Sequence, residues 1–267
     1  MTDHALAALF VLTVWWLSTG AILWVDGLPR WTFRFSLGVA SLVAVGALYG
    51  LLSTSRIAST SAAYLAFTCA LAVWGWHELA FLLGVITGPR KEPCPPGARG
   101  WRRFFYATAA ILHHEVALAL TLLAVVALTW RAPNQVGTLT FLVLWVMRLS
   151  AKVNVFLGVR NLATEFIPEH LRYLLSYFRR ARLNPLMPVS LIAASAVVVR
   201  LVAEATSGDA TAFVLVGRTL LATILGLAVI EHLFLALPVP DALLWRWALR
   251  AAPPLPQPEP HLRGDAP

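Results

Sequence analysis

Four of the seven histidines stand directly beside a glutamate, and three of these pairs lie within long apolar stretches. The pairs are His77–Glu78, His114–Glu115, Glu169–His170 and Glu231–His232. Random placement in a chain of this composition predicts about 0.4 adjacent pairs, so chance does not explain them. Ionisable groups inside apolar spans are costly, and they mark candidate functional sites.

Three interpretations of these groups stay open. The first is structural: the groups hydrogen-bond and form ion pairs that hold a helix bundle together where there is no water. In the second they line a ligand pocket, where an imidazole is the axial ligand of a tetrapyrrole metal or polar groups hold the carboxylates of the macrocycle. The third is a carboxylate–histidine site for a transition metal, iron or zinc.

The candidate cofactor-binding residues are His77, Glu78, His113, His114, Glu115, Arg148, Lys152, Glu231 and His232. The candidate metal ligands are His77, Glu78, His114, Glu115, Glu231 and His232. The sequence has no Glu-x-x-His motif of the di-iron helix bundles and no His-Glu-x-x-His motif. No catalytic residue is assigned, and whether the protein is an enzyme stays open.

Two cations accompany these acids in one apolar stretch. Arg148 and Lys152 are four residues apart, so they share a helix face. Because cations inside a membrane need anions, Glu78, Glu115 and Glu231 are their expected partners. The alternative is that the two cations form a clamp for a ligand carboxylate or propionate.

The elements that carry these residues are membrane spans. Of the 267 residues 59% are hydrophobic and 13% charged, about half the charged fraction of a soluble domain. A spanning helix needs about 20 apolar residues. Seven stretches qualify: 5–25, 35–53, 62–87, 104–130, 136–158, 186–204 and 211–236. The predicted fold is therefore an all-α integral membrane protein with about seven transmembrane helices.

The basic residues predict its orientation. The net charge of +8 reflects the excess of Lys and Arg in cytoplasmic loops rather than nucleic-acid binding. Fifteen cations fall in 26–34, 88–103, 159–185 and the C-terminal tail, against two in the alternate loops. This asymmetry predicts an outside N-terminus and a cytoplasmic C-terminus. The acid–imidazole groups of spans three, four and seven then lie roughly 8–15 Å from the cytoplasmic boundary.

Two segments outside the spans have their own character. Residues 163–182 place apolar side chains at helical spacing opposite basic ones, which predicts an amphipathic helix on the cytoplasmic surface. Residues 251–267 are rich in proline, which predicts a disordered tail. The expected organisation is one membrane domain, 1–250, followed by that tail.

Longer motifs resemble a known family. They are WHELAFLLGVITGPRKEPCP (76–95), LHHEVAL (112–118), TFLVLWVMRLSAKVNVFLGVRNLATEFIPEHLRYLLSYF (140–178) and NPLMPVS (184–190). Together they resemble the PuhE family, photosynthetic complex assembly protein 2 of purple bacteria, over about 10–240. The resemblance implies a multi-pass protein of the bacterial inner (intracytoplasmic) membrane, linked to assembly of the reaction centre and core antenna and to modulation of bacteriochlorophyll synthesis. It supplies no catalytic residues.

The expected function is an assembly factor that handles bacteriochlorophyll or a precursor in a cytoplasmic-half pocket. One alternative is a membrane metal-dependent oxidoreductase of tetrapyrrole biosynthesis, and another is a ligand-free helix-packing scaffold. The expected partners are the lipid bilayer and either reaction-centre and core-antenna subunits or enzymes of bacteriochlorophyll synthesis. No nucleic-acid partner is expected.

Overall fold

The structure, a computed structural model, describes residues 2–162, 164–182, 184–237 and 241–248. Within them the chain forms seven long helices: α1 (Thr2–Asp26), α2 (Phe33–Ser55), α3 (Thr60–Leu82), α4 (Gly100–Leu128), α5 (Val136–Leu157), α6 (Leu186–Ala205) and α7 (Ala212–Ala236). Each is long and apolar enough to cross a membrane. The predicted all-α fold with about seven spans is confirmed; the predicted tail, 251–267, lies outside the described residues.

α3 ends five residues earlier than the hydropathy predicts, at Leu82 instead of residue 87. Gly84 adopts a positive φ of 76°, the left-handed conformation that commonly closes a helix. The Val85 N–H donates to Ala80 and the Gly84 N–H to Phe81, the bonding pattern of a Schellman motif. The glycine therefore ends the helix while the sequence is still apolar.

α3 and α7 are the most buried helices, and they form the centre of the bundle. α1 and α5 contact both of them, α2 packs on α3, α6 packs on α7, and α4 lies beside α5 and α3. The central apolar core joins Phe67 and Leu71 of α3 to Leu220 and Ile224 of α7, with Val11 of α1 against them.

The two ends of the bundle differ in their connections. The long-loop end carries the connections 27–32, 83–99 and 158–185, and the short-loop end carries 56–59, 129–135 and 206–211. The short-loop connections hold Arg56 and Arg131, and all other loop cations of the described chain lie at the long-loop end or in its flanking helix turns. The structure thus gathers the predicted cytoplasmic charges at one end.

The predicted amphipathic segment, 163–182, is helical but differs from the expectation. It contains two 3₁₀ helices, Thr164–Phe166 and Glu169–Tyr177. Leu171, Leu174 and Tyr177 are buried in a cluster with side chains of α3 and α4, so the apolar stripe packs on protein rather than lipid. Residue 163 lies outside the described part of the chain.

Groups of the loop between α3 and α4, and one side chain of α4, hold the second 3₁₀ helix in place. The Cys94 N–H donates to Ser176 Oγ at 2.8 Å, and Arg90 Nε donates to Tyr177 Oη at 2.9 Å. Arg103 Nη2 donates to the Tyr177 carbonyl at 2.5 Å. These tertiary bonds favour the tighter 3₁₀ winding, which is uncommon over nine residues on its own.

His170 joins this helix to the turn after α3. Its Nε2 donates to the Leu82 carbonyl at 2.7 Å. Burial lowers the pKa of His170 below its ordinary 6.5, and the nearby cations Arg30 and Lys91 lower it further. Between the lowered pKa and 6.5 the unfolded chain binds more protons than the folded one. This contribution to stability is therefore present above pH 6.5 and is lost as the pH falls toward the folded-state pKa.

We expect the thermal midpoint of the purified protein to fall from pH 7.5 to pH 5, and to fall less in His170→Gln, which keeps a hydrogen-bond donor but does not titrate. Differential scanning fluorimetry in one detergent measures both curves. Parallel curves for parent and variant would show that His170 does not contribute.

The charge asymmetry predicts that impermeant maleimide reaches the short-loop end but not the long-loop end in intact spheroplasts. Cys69 and Cys94 are first replaced, and single cysteines are then placed at Arg99, Arg180 or Gly208. A Cβ added at Gly208 would meet open space. We expect Gly208→Cys to label at once, and Arg99→Cys and Arg180→Cys only after lysis. The opposite pattern would invert the orientation.

Candidate functional site

The candidate site begins where the apolar core of the bundle ends. Glu78 lies seven and eleven residues after Leu71 and Phe67 of α3, and Glu231 lies four residues after Leu227 of α7. These spacings put each glutamate on the same helix face as core residues. Both glutamates therefore continue core-facing stripes toward the long-loop end.

Arg148 of α5 meets the first of these acids. Its Nη2 donates to Glu78 Oε2 at 2.9 Å, with 47% of the arginine side chain exposed but 11% of the glutamate side chain. The lipid-facing side of α5 carries the exposed Leu142, Val146 and Leu149. At about 100° per residue, Arg148 lies at least about 100° around the helix from each of them. Its exposed part therefore lies in the space on the side of α5 that is turned away from those three residues.

Glu231 faces the same space from α7. It is exposed although it continues a core stripe, and its Oε1 accepts from Trp15 Nε1 of α1 at 3.2 Å. The charge of Glu231 also acts on Arg148. We use the name axial crevice for the region between α1, α3, α5 and α7 where Trp15, Glu78, Arg148 and Glu231 lie. Trp245 packs on Trp15 with ring centroids 5.2 Å apart.

The second ion pair of the site joins Lys152 to Glu115, and we call it the closed pair because protein groups bond to both carboxylate oxygens. Lys152 Nζ donates to Glu115 Oε1 at 2.5 Å, and the side chains are 21% and 17% exposed. Trp145 Nε1 donates to the other oxygen of Glu115 at 3.2 Å, and Lys152 lies 5.6 Å from the ring centre of Phe81. Both carboxylate oxygens have partners, so this pair joins α4 to α5 rather than offering a site.

Two of the candidate histidines are buried between α3 and α4. His114 is fully buried, and its Nε2 lies 3.6 Å from Glu78 Oε1. That distance is too long for a hydrogen bond but allows an ion pair if the imidazole is protonated. His77 Nε2 is 3.0 Å from the hydroxyl of Thr121. Both rings are enclosed by side chains.

The other two candidate histidines lie elsewhere. His232 Nδ1 is 2.9 Å from the Ala228 carbonyl, so it must donate, and Nε2 then accepts from the Ser150 hydroxyl at 3.0 Å. His113 is exposed on the outer face of α4. The structure does not place His113 in the crevice, because neighbouring helical residues point about 100° apart and His114 takes the inward direction.

Five of the nine candidate residues are neighbours in one layer, because His114 approaches Glu78 and the two ion pairs hold Glu78 to Arg148 and Glu115 to Lys152. His77, Glu231 and His232 have other partners, and His113 lies on the outer face of α4. No three His, Cys, Asp or Glu side chains of the described residues come together as a metal-binding set. The six candidate metal ligands are therefore divided among different partners.

Sequence reasoning missed two participants. Ser150 bonds to Ser190 of α6 at 3.0 Å and to His232, and its four-residue spacing from Asn154 was a usable signal for a polar helix face. Trp15 carried no signal, because aromatic residues are common in membrane helices.

The closed pair predicts a stability difference between two variants. Lys152→Met leaves Glu115 unpaired in the membrane, and breaking a buried pair costs about 3–5 kcal/mol. Glu115→Gln/Lys152→Met removes both charges and should recover most of that loss. Thermal midpoints from fluorescence-detected size-exclusion chromatography test this. Equal midpoints for the single variant and the parent would show that the pair contributes nothing.

Comparison with known proteins gives the chain a family. Residues 1–255 match the family described as Protein of unknown function (DUF3623). A Rhodobacter capsulatus protein, described as "Uncharacterized 30.4 kDa protein in puhA 5'region", is 38% identical over 253 residues, which are 93% of this chain and 92% of that protein. No solved structure matches. The chain belongs to the DUF3623 family.

Proposed function

We propose that this member of the DUF3623 family is a membrane-embedded assembly factor of the purple-bacterial photosynthetic apparatus. In this proposal the axial crevice holds a bacteriochlorophyll precursor that still carries a free carboxylate. The Rhodobacter capsulatus relative, described as lying in the puhA 5' region, supports the setting, and so do the motifs that resemble the PuhE family. The seven spans fit a multi-pass protein of the inner, intracytoplasmic membrane.

The observation that carries the proposal is the open side of Arg148. A guanidinium has five N–H donors, and within the described residues Arg148 uses one, toward Glu78. The side chain is 47% exposed, on a side of α5 away from its lipid-facing residues. A ligand carboxylate can accept two parallel hydrogen bonds from such a group, the strongest neutral-pH pairing available to it.

The other candidate groups favour this mode of binding over axial ligation. Lys152 is occupied by Glu115, so the clamp reduces to Arg148. His77, His114 and His232 are each at most 3% exposed, and in this arrangement a macrocycle's metal does not reach them. The precursor would therefore be held by its acid group, with the ring beside Trp15.

The ligand-free scaffold is the competing function, and a specific observation favours it. The Lys152–Glu115 pair has its charges and both carboxylate oxygens satisfied by protein, as a purely structural pair would. The metal-dependent oxidoreductase has no comparable support, because its six candidate ligands are divided among separate groups.

The test is to purify the protein gently from a pigment-producing host and quantify bound tetrapyrrole by absorption and mass spectrometry. We expect stoichiometric tetrapyrrole on the parent. Retention on Arg148→Gln should be weaker by at least about tenfold, since a charge-assisted hydrogen bond contributes about 1.5–3 kcal/mol. Arg200→Gln is the matched control: Arg200 also pairs with a glutamate in a span, but its side chain is 80% exposed.

A second variant protects the test against misfolding. Glu78→Gln/Arg148→Gln leaves no unpaired charge, so it should stay folded while losing the ligand. Photosynthetic-complex yield in the same strains should fall with ligand retention. A parent protein without tetrapyrrole would overturn the proposal in favour of the scaffold.

A further inference from the structure

A second pocket lies at the long-loop end, away from the axial crevice. Between the end of α5 and the start of α6, a cavity of about 510 Å³ is lined by Val159, Arg160, Arg180, Ala181 and Arg182. We call it the arginine pocket. We infer that it binds a phosphate group, and its position points to the headgroup of an anionic phospholipid.

Within the described residues four arginines have an acidic partner, and the three arginines of this pocket are not among them. Arg90, Arg148, Arg200 and Arg218 each lie within 4 Å of a glutamate. In the part of the chain that the structure describes, no acidic residue lines the arginine pocket, and no salt bridge involves any of its three arginines. Three arginines around one depression repel one another, and an anion lying among them offsets that repulsion.

The backbone that presents these arginines is held by tertiary bonds. Val159 and Arg180 form a parallel bridge, in which the Val159 N–H donates to the Arg179 carbonyl and the Ala181 N–H donates to Val159, both at 3.1 Å. Gly158 has a φ of 127°, and a Cβ there would come within 2.7 Å of the Ala181 Cβ. The close approach of the two chain segments therefore requires glycine at position 158.

Asn184 fixes the same loop to α6. Its Nδ2 donates to the Gly158 carbonyl at 2.8 Å, while its Oδ1 accepts from the N–H groups of Leu186 and Met187. One side chain thus caps α6 and anchors the end of α5. Guanidiniums on a backbone fixed in this way lose less freedom on binding a ligand than side chains of a loose loop.

The size and depth of the pocket select the ligand. The depression is open to the surface and its volume of about 510 Å³ falls within the range of about 300–1,000 Å³ for small-molecule pockets, so a lipid headgroup can reach it. The pocket lies where two spans end, at residues 157 and 186, which is the level of lipid phosphates. Arginine pairs with phosphate bidentately. The positive-inside bias requires net charge in this loop, but not three arginines around one cavity.

The test uses the full chain in a zwitterionic detergent and measures binding of short-chain dihexanoyl phosphatidic acid by isothermal calorimetry. The pocket variant is Arg160→Gln/Arg180→Gln/Arg182→Gln. The matched control is Arg99→Gln/Arg102→Gln/Arg172→Gln, which removes the same charge from exposed positions at the same end. We expect parent and control to bind alike and the pocket variant to bind at least about tenfold more weakly.

Two further ligands identify the source of the phosphate. Dihexanoyl phosphatidylcholine should bind weakly because its headgroup is neutral, and inorganic phosphate should bind more weakly than the lipid. Phosphate binding as tight as lipid binding would keep the phosphate site but assign it to a free anion. Equal losses in the two triple variants, or binding of polyglutamate without phosphatidic acid binding, would overturn the inference. Tetrapyrrole retention on Arg148 is measured separately, so the two proposals can fail independently.

Discussion

A carboxylate within a membrane span must meet a cation or a hydrogen-bond donor, because the bilayer offers no water to solvate it. Three glutamates of this bundle obey that constraint across helix boundaries. Glu78 pairs α3 with Arg148 of α5, Glu115 pairs α4 with Lys152 of α5, and Glu231 joins α7 to α1. These three glutamates thus link neighbouring helices by polar contacts in addition to apolar packing.

The two ion pairs of α5 obey the same constraint with different consequences. Lys152 and Glu115 form an ion pair with each other, so their charges are compensated within the fold. Arg148 spends part of its hydrogen-bonding capacity on Glu78 and presents the rest to the axial crevice. Because hydrogen-bond donors left unused inside a bundle are costly unless water or a ligand completes them, the proposed binding function is assigned to the crevice rather than to the closed pair.

α5 also links the crevice to the arginine pocket. Below Arg148 its polar face continues through Ser150 and Asn154, which bond to α6 and α7 side chains, and it ends at Gly158, where Asn184 anchors the loop. A single helix therefore positions a cation inside the membrane and a cationic loop at its boundary. Arg148 has Glu78 as its ion-pair partner, whereas the three arginines of the loop have no acidic partner within the described residues.

The sequence by itself determined the seven spans to within a few residues, because apolar length is a local property: α2 and α5 begin and end almost where hydropathy places them. It also predicted that acids, imidazoles and cations share one layer. Only the tertiary structure decided which of them meet. Arg148 takes Glu78 and Lys152 takes Glu115, and His113 turns outward. Helix rotation sets these choices, and it depends on contacts between residues far apart in the chain.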